Sequence, residues 1–366
     1  MVLASYTRGM KSLGNFPDPF LAEICGQPDA LRRAAASLVD QREALERIRE
    51  AGANARTIVF TGMGSSYDAC YPAVNDLAGR GVPSVLVDTA ELLHFRRAIL
   101  NPHTLLIIVS QSGESAEIVK LVSDLGKQRS RPFVVSVTNG LNNDLARMAD
   151  ITLDSWAGVE TGPSTITFSA SMATLSGVAR LLAGDSVDTA IDRTRTAAEG
   201  AALAAERLLE DPEAHAVELA SWMAGRQVMV VLGRGPARAA AEMGALLLKE
   251  CGVMAESLES AMFRHGPLEL AGPGMSAIVL ATEPETRRLD LGLAADLVQA
   301  GVAVLVVTPD GEEPKGAHAV ATGFLDRALM SAVSIIPVQL LAWKLAVSSG
   351  RTPGAYIRAS KVTTRE

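Results

Sequence analysis

The chain is short of aromatic residues, of cysteine and of clustered positive charge, and each shortage removes a class of function. Phe, Trp and Tyr make up only 4% of 366 residues, while 48% are apolar, so the interior has to be built from aliphatic side chains. The net charge is −7, with no basic run and little interleaving of aromatic and basic residues. That is the opposite of a nucleic-acid-binding surface. Cysteine occurs three times, at Cys25, Cys70 and Cys251. Three are too few for a disulfide framework and lack metal-type spacing, which fits a reducing cytoplasm. No group of His, Cys and carboxylates has the spacing of a metal site, and no Gly-x-x-x-x-Gly-Lys-Ser/Thr motif exists to make a P-loop. Neither a metal nor an organic cofactor is expected. The first residues lack an apolar core followed by a cleavage pattern, so no signal peptide is read there. The most apolar late stretch, 334–347, is interrupted by Pro337 and Lys344 and is too short for a bilayer.

What is present is an alternation of short apolar strands and helical stretches. Strands are expected at 57–61, 82–88, 105–109, 133–138 and 151–153, and again at 227–232, 277–280 and 304–307. Such alternation argues for α/β architecture, with parallel sheets covered on both faces. The two sets are copies. Gly62 pairs with Gly233, 171 positions on, and the same offset pairs Gly64 with Gly235, Gly81 with Gly252, His94 with His265 and Ile107 with Ile278. The expected organisation is a peripheral helical segment over 1–50, a first copy over 51–185 and an Ala-, Glu- and Leu-rich helical connector over 186–222. A second copy over 223–350 and a tail over 351–366 complete it. Within the first segment Asp29 opens an amphipathic helix through Val39, and Pro17, Pro19 and Pro28 break the chain before it. Met10, Lys11, Glu23 and Ile24 are candidate subunit contacts.

The densest chemistry lies at Ser110-Gln111-Ser112-Gly113-Glu114-Ser115. It joins the buried run 105–109 to a stretch with helical spacing. Hydroxyls there meet the free N–H groups of a helix start, a setting that suits phosphate. The plainer reading is that Ser112 or Ser115 merely caps the helix. The second copy carries Ala281-Thr282-Glu283-Pro284 at this place, and Glu283 would repel an anion. The anion site therefore belongs to the first copy. Gly62-Met63-Gly64 with Asp88 after the next strand also raises a dinucleotide site. Tyr67 and, in the second copy, Arg238 occupy the third glycine position and oppose it. The second copy offers acid–base groups instead. Glu250 ends a helix over 236–251 that Gly252 terminates, and the negative helix end raises its pKa unless it is paired. His265 is presented by Arg264-His265-Gly266-Pro267. A solvated surface glutamate and an exposed histidine are the corresponding plain readings.

Together these residues resemble the sugar isomerase (SIS) domain family, over about residues 25–366. Within it the chain is similar to the isomerase half of glucosamine–fructose-6-phosphate aminotransferase and to free-standing relatives such as SIS-type glucosamine-6-phosphate deaminase. The resemblance implies two tandem doubly wound, flavodoxin-like αβα units. It implies that Ser66, Ser110, Gln111, Ser112 and Ser115 hold a sugar phosphate, with Gly64, Ser65, Gly113, Ser164 and Thr165 as further substrate contacts. It assigns proton transfer between C1 and C2 to Glu250 and ring opening to His265 of a partner subunit in a homodimer. Lys361 would stand for the family's tail lysine, which forms a Schiff base with an open-chain sugar. The sequence departs from the pattern in three places. No glutaminase half precedes Met1-Val2, so ammonia from glutamine is not expected. Thr167 stands where the family has the lysine of Val-Ala-Ser-Thr-Lys. Lys361 falls one residue late against the tail motif. The expected reaction is aldose–ketose isomerisation of a hexosamine or hexose 6-phosphate, with deamination of glucosamine 6-phosphate leading. A plain isomerase, a deglycase for a sugar–amine adduct and a non-catalytic phosphosugar sensor remain as alternatives.

Overall fold

The computed structural model describes residues 19–223, 225–358 and 360–365. Residues 1–18 lie outside these, and Met10, Lys11 and Pro17 with them. Ten strands are found among the described residues. The first sheet contains β1 (Thr57–Thr61), β2 (Ser84–Leu86), β3 (Thr104–Ser110), β4 (Phe133–Thr138) and β5 (Ile151–Asp154), in the order β2-β1-β3-β4-β5. The second contains β6 (Val228–Gly233), β7 (Ala255–Glu259), β8 (Met275–Leu280), β9 (Ala303–Thr308) and β10 (His318–Ala321), in the order β7-β6-β8-β9-β10. Every pairing is parallel. Both sheets thus have the same doubly wound order, with β3 and β8 at their centres and buried along their whole length. A strand covered on both faces has no polar side, which is why these two read as unbroken apolar runs.

The duplication extends to atomic detail. Asp88 caps the helix Thr89–His94 by accepting from Glu91 N, and Glu259 caps Ser260–Arg264 by accepting from Met262 N. Asp88 is therefore a capping residue here. A Cβ on Gly62 would meet the backbone of Ser66 and Tyr67 at 2.9 Å, and one on Gly233 would meet Ala237 O at 2.9 Å. The same turn needs the same glycine twice.

Equivalent residues also join the copies. Tyr71 OH donates to Glu242 Oε1 at 2.9 Å, and these two positions are 171 residues apart. Arg238 pairs with Glu242 and stands with its guanidinium 4.6 Å from the Tyr71 ring centroid. Asp68 is buried beside them, and burial together with Glu242 raises its pKa while Arg238 lowers it. Tyr67 and Arg238, which deny the chain a dinucleotide motif, so serve the contact between its two halves.

Several expectations need correction. The helices Pro19–Cys25 and Gln27–Ser37 are not peripheral, because Phe20, Ile24 and Leu31 are fully buried in the main core. Pro19 and Pro28 stand in the first turns of those helices, where a missing N–H costs nothing. The edge strands β7 and β10 were not expected. Ala255–Glu259 carries two glutamates and His318–Ala321 is only 4 residues long. The helix after Gly64 is split into Ser65–Asp68 and Tyr71–Gly79, the second having Pro72 in its first turn. The late apolar stretch is also longer than it reads. Helices Arg327–Ser334 and Ile336–Ser348 run almost continuously, apolar and long enough to cross a membrane by length and composition. Of the apolar window, 83% is buried inside the protein. The 186–222 stretch holds two helices, Val187–Leu208 and Pro212–Trp222.

The contact between copies generates a ranked prediction. Tyr71→Phe removes one neutral donor from a carboxylate that keeps its arginine, and should cost about 1 kcal/mol. Arg238→Met leaves Glu242 and the buried Asp68 without their cation and should cost at least twice as much. Denaturant midpoints of the two variants measure the ranking, and equal losses would contradict it.

Candidate active site

The serine turn leaves β3 at the carboxyl edge of the first sheet, the edge where open α/β sheets bind ligands. Its shape is fixed from within. Gly113 N–H donates to Ser110 Oγ at 3.1 Å, and Glu114 N–H donates to Ser112 Oγ at 3.2 Å. Gly113 has φ +66°, and a Cβ there would lie 1.9 Å from Asn143 Oδ1. Asn139 N–H donates to Gln111 O, and Leu145 N–H donates to Gly113 O. Ser115 occupies the N-cap of helix Ala116–Gly126 but its side chain makes no cap bond. The plain capping role is thus not taken up by Ser115, and its hydroxyl is free for another partner. Ser66 sits on the neighbouring turn after β1, half-buried, with its carbonyl accepting from Cys70 Sγ.

A second loop is organised around Glu160. This side chain is completely buried. It accepts from Thr165 N at 2.7 Å, Thr167 N at 3.0 Å and Thr167 Oγ1 at 2.6 Å, and also from Thr165 Oγ1. Ser164 Oγ accepts from Ser65 Oγ at 2.8 Å, which ties the loop to the turn after β1. Glu23 braces the loop from the first helix, accepting from Thr161 and Gly162. Thr165 therefore spends its hydroxyl on Glu160, whereas Ser164 faces Ser65.

The tail closes over both. Lys361 Nζ forms an ion pair with Glu160 and donates to Gly162 O at 2.6 Å, and Tyr356 OH donates to the same carbonyl. Ala116 N–H, the first free donor of the helix after the serine turn, donates to Thr363 O at 3.1 Å. Thr167, in place of a lysine, and Lys361, one residue late, thus meet on one carboxylate.

Glu250, the last residue of the helix Arg238–Glu250, contributes from the second copy. Its surface remains open to solvent, yet protein crowds its carboxyl. Desolvation pushes its pKa up from 4.5 to about 7. Lys361 pulls it down and Glu160 pushes it up. The rise expected from the helix end is present, but burial is its main cause. Glu250, Glu160 and Lys361 form one electrostatic group, and Tyr356 belongs to it, since burial, then Glu250 and Glu160, raise its pKa.

His265 stands apart. It is exposed at the end of the helix Ser260–Arg264, beyond edge strand β7. No hydrogen bond or ion pair among the described residues connects it to Glu250, Lys361 or the serine turn. Sequence reasoning missed Glu160, Glu23 and Thr363. The signal for Glu160 was a lone acid two residues before Gly162-Pro163, in a loop with no other charge between Asp154 and Arg180. The backbone carbonyl of Thr363 leaves no trace in residue type. No group of three or more His, Cys, Asp or Glu side chains that could hold a metal exists among the described residues.

Comparison with known proteins bears on the family and the fold. The model of the SIS domain matches residues 53–180 and 223–349. The glutamine–fructose-6-phosphate aminotransferase of Pyrobaculum aerophilum is 28% identical over 361 residues, which is 98% of this chain and 59% of the relative. The chain thus spans about three-fifths of the length of that curated relative. Among solved structures, the C-terminal domain of glucosamine-fructose-6-phosphate aminotransferase from Francisella tularensis superposes with a TM-score of 0.83 at 23% identity, covering 93% of this chain and 98% of that one. Glucosamine-6-phosphate deaminase from Thermotoga maritima gives 0.72 at 19% identity, covering 94% and 99%. With both of its five-stranded units matched, the chain belongs to the SIS domain family, with two tandem copies of that domain.

Proposed function

We propose that the chain is a phosphosugar enzyme that moves a proton between C1 and C2 of a hexosamine or hexose 6-phosphate. Its leading reaction is the isomerising deamination of glucosamine 6-phosphate to fructose 6-phosphate. The observation that carries this reading is Glu250, whose carboxyl burial raises to about 7 within electrostatic reach of Lys361 and Glu160. A base with a pKa near the working pH is the form that proton transfer at carbon favours.

In this reading Ser66, Ser110, Gln111, Ser112 and Ser115 hold the phosphate, with the backbone N–H groups of Gly64 and Ser65, while Gly113 shapes the turn through its N–H bond to Ser110 Oγ. Phosphate contacts remote from the reacting carbons fix the orientation of the open chain. The Glu250 carboxylate takes the proton from C2 and returns it to C1. The C2 amine becomes a ketimine, water adds to its carbon, and ammonia leaves. Ser164 lines the sugar side, the buried Thr165 supports it by bonding Glu160, and Lys361 stabilises negative charge developing on the oxygens. Serving as a Schiff-base lysine would require Lys361 to leave Glu160 as a free amine. Ring opening falls to His265 of the partner subunit in a homodimer, a role that its exposure at the end of the helix Ser260–Arg264 supports. Three free cysteines fit a cytoplasmic setting. A plain isomerase or a sugar–amine deglycase is the second reading. The capture of the Lys361 ammonium by Glu160 fits this reading and the leading one alike, since neither routes through an imine on that lysine.

Glu250→Gln should abolish exchange of the C2 proton with solvent while phosphosugar binding persists. Retained exchange would remove Glu250 from the mechanism. The base must be ionised to act, so kcat/KM should rise with pH through about 7. The same raised pKa favours the folded state only while the carboxyl is protonated. That contribution is full below 4.5 and is lost as pH rises through about 7. Glu250→Gln should therefore raise Tm over the parent more near pH 8 than near pH 5.

Replacing Ser110 and Ser112 together by alanine should weaken binding of glucosamine 6-phosphate far more than binding of glucosamine. Equal losses would make the turn merely structural. A panel of hexose and hexosamine 6-phosphates, followed by NMR, separates the readings. Ammonia with fructose 6-phosphate supports the deaminase and an aldose–ketose pair without ammonia the isomerase. No turnover of any member, with binding retained, means a sensor.

A further inference from the structure

The second copy repeats the geometry of the serine turn without its serines. At the offset of 171, Thr282 and Glu283 stand for Gln111 and Ser112, and Thr286 stands for Ser115 at the N-cap of its helix, Arg287–Gln299. The loops after β8, β9 and β10 enclose a cavity of about 160 Å³ there, lined in part by Thr282, Glu283, Arg287 and Phe324. At roughly 30 Å³ per water it has room for several waters or one small organic molecule.

The polar groups of this cavity are unfinished. Thr282 and Glu283 are both 3% exposed, and Thr282 Oγ1 and Glu283 Oε1 have no hydrogen-bond partner. Arg287 Nε is also buried and unpartnered. Their immediate neighbours are already used. Arg327 donates from Nε to Glu283 Oε2 at 2.6 Å and grips both oxygens of Glu285. Arg287 spends its Nη2 on Asp310 and Glu312. One carboxylate acceptor, one N–H donor and one hydroxyl, on three residues that line this cavity, thus lack a mate. Buried polar groups in native proteins are nearly always paired, so an orphan set lining one cavity asks for an occupant.

We infer that the second copy holds a ligand site of its own, for a small neutral polyol such as an unphosphorylated sugar. Adjacent hydroxyls match the set. One donates to Glu283 Oε1, its neighbour accepts from Arg287 Nε–H, and either pairs with the Thr282 hydroxyl. Glu283 and Glu285 repel a phosphate from the place where the first copy would receive one. Phe324, 77% exposed at the rim, offers a flat apolar face to the C–H side of a sugar ring. Few polar groups on an apolar wall are the usual make-up of a small-molecule site. The inference concerns the second sheet only and stands whether or not Glu250 is a proton shuttle.

Saturation-transfer NMR on the full chain with D-glucose as probe tests it. Transfer is expected in the parent and should survive in the Ser110→Ala, Ser112→Ala double variant, which disables the first copy's turn. It should fall by about tenfold or more in Thr282→Val, which keeps the side-chain shape and removes the hydroxyl. Phe324→Ala, on an exposed side chain whose loss should not disturb the core, should also reduce it. Transfer that vanishes with the serine double variant, or that Thr282→Val and Phe324→Ala leave unchanged, would overturn the site. Absence of any saturable transfer would mean that the cavity holds water alone and would overturn it equally.

Discussion

The site depends on one buried carboxylate. The Glu160 side chain is out of contact with solvent, and donors surround its carboxyl: two backbone N–H groups, two threonine hydroxyls and the Lys361 ammonium. Removing a charge from water is costly unless the new partners replace the lost hydration. Four of those donors come from Thr165 and Thr167, where the loop enters the helix Ile166–Leu182, so the carboxylate and this junction specify each other. The fifth comes from the tail, more than two hundred residues along the chain in sequence separation of 201. The ion pair thereby decides where the tail lies. Thr363, two residues beyond Lys361, then reaches the first N–H of the helix at the serine turn.

Duplication explains why such a site could be assembled. Each copy supplies the same rigid parts: a central buried strand, a glycine turn and a capped short helix after its second strand. The copies meet through equivalent positions, Tyr71 against Glu242, so the packing between them is close to self-complementary. Loops at the carboxyl edges of the two sheets are then free to diverge without disturbing the cores. The first copy placed hydroxyls after its central strand, and the second placed Thr282 and a buried glutamate. Glu250 crosses between the two roles. It ends the very helix that packs against the first copy, and so delivers a carboxyl from one unit to the neighbourhood of the other.

Strand positions and the repeat were legible because burial on both faces leaves continuous apolar runs and because tight turns demand glycine. The edge strands were not, since β7 carries two glutamates in five residues and β10 is brief. The serine turn was legible as a cluster of side chains with one evident chemistry. The Glu160 knot was not, because its partners are backbone groups and ordinary threonines that only the folded loop brings together. Lys361 was placed from a tail pattern that it fits imperfectly, and Thr167 looked like a loss. In the fold the two sit on the same carboxylate, so neither residue has a meaning that sequence position alone could supply. Pro19 and Pro28 misled for a related reason. A proline reads as a break, yet in a helix's first turn it is a beginning.

The charge balance around Glu250 also follows from this arrangement. Two carboxyls, Glu250 and Glu160, share one ammonium. Glu160 has the shorter claim on it, through direct contact and complete burial. Lys361 therefore reaches Glu250 only as a more distant charge, which lowers its pKa without cancelling the desolvation. Had Lys361 paired with Glu250 instead, a carboxylate in direct contact with an ammonium would ionise well below neutral pH and make a poor proton acceptor at carbon. Glu160 thus acts on Glu250 twice, once by its own negative charge and once by occupying the cation. Burial is what lifts the neighbouring carboxyl to about 7, and the polar knot adds to that lift through the charge of Glu160.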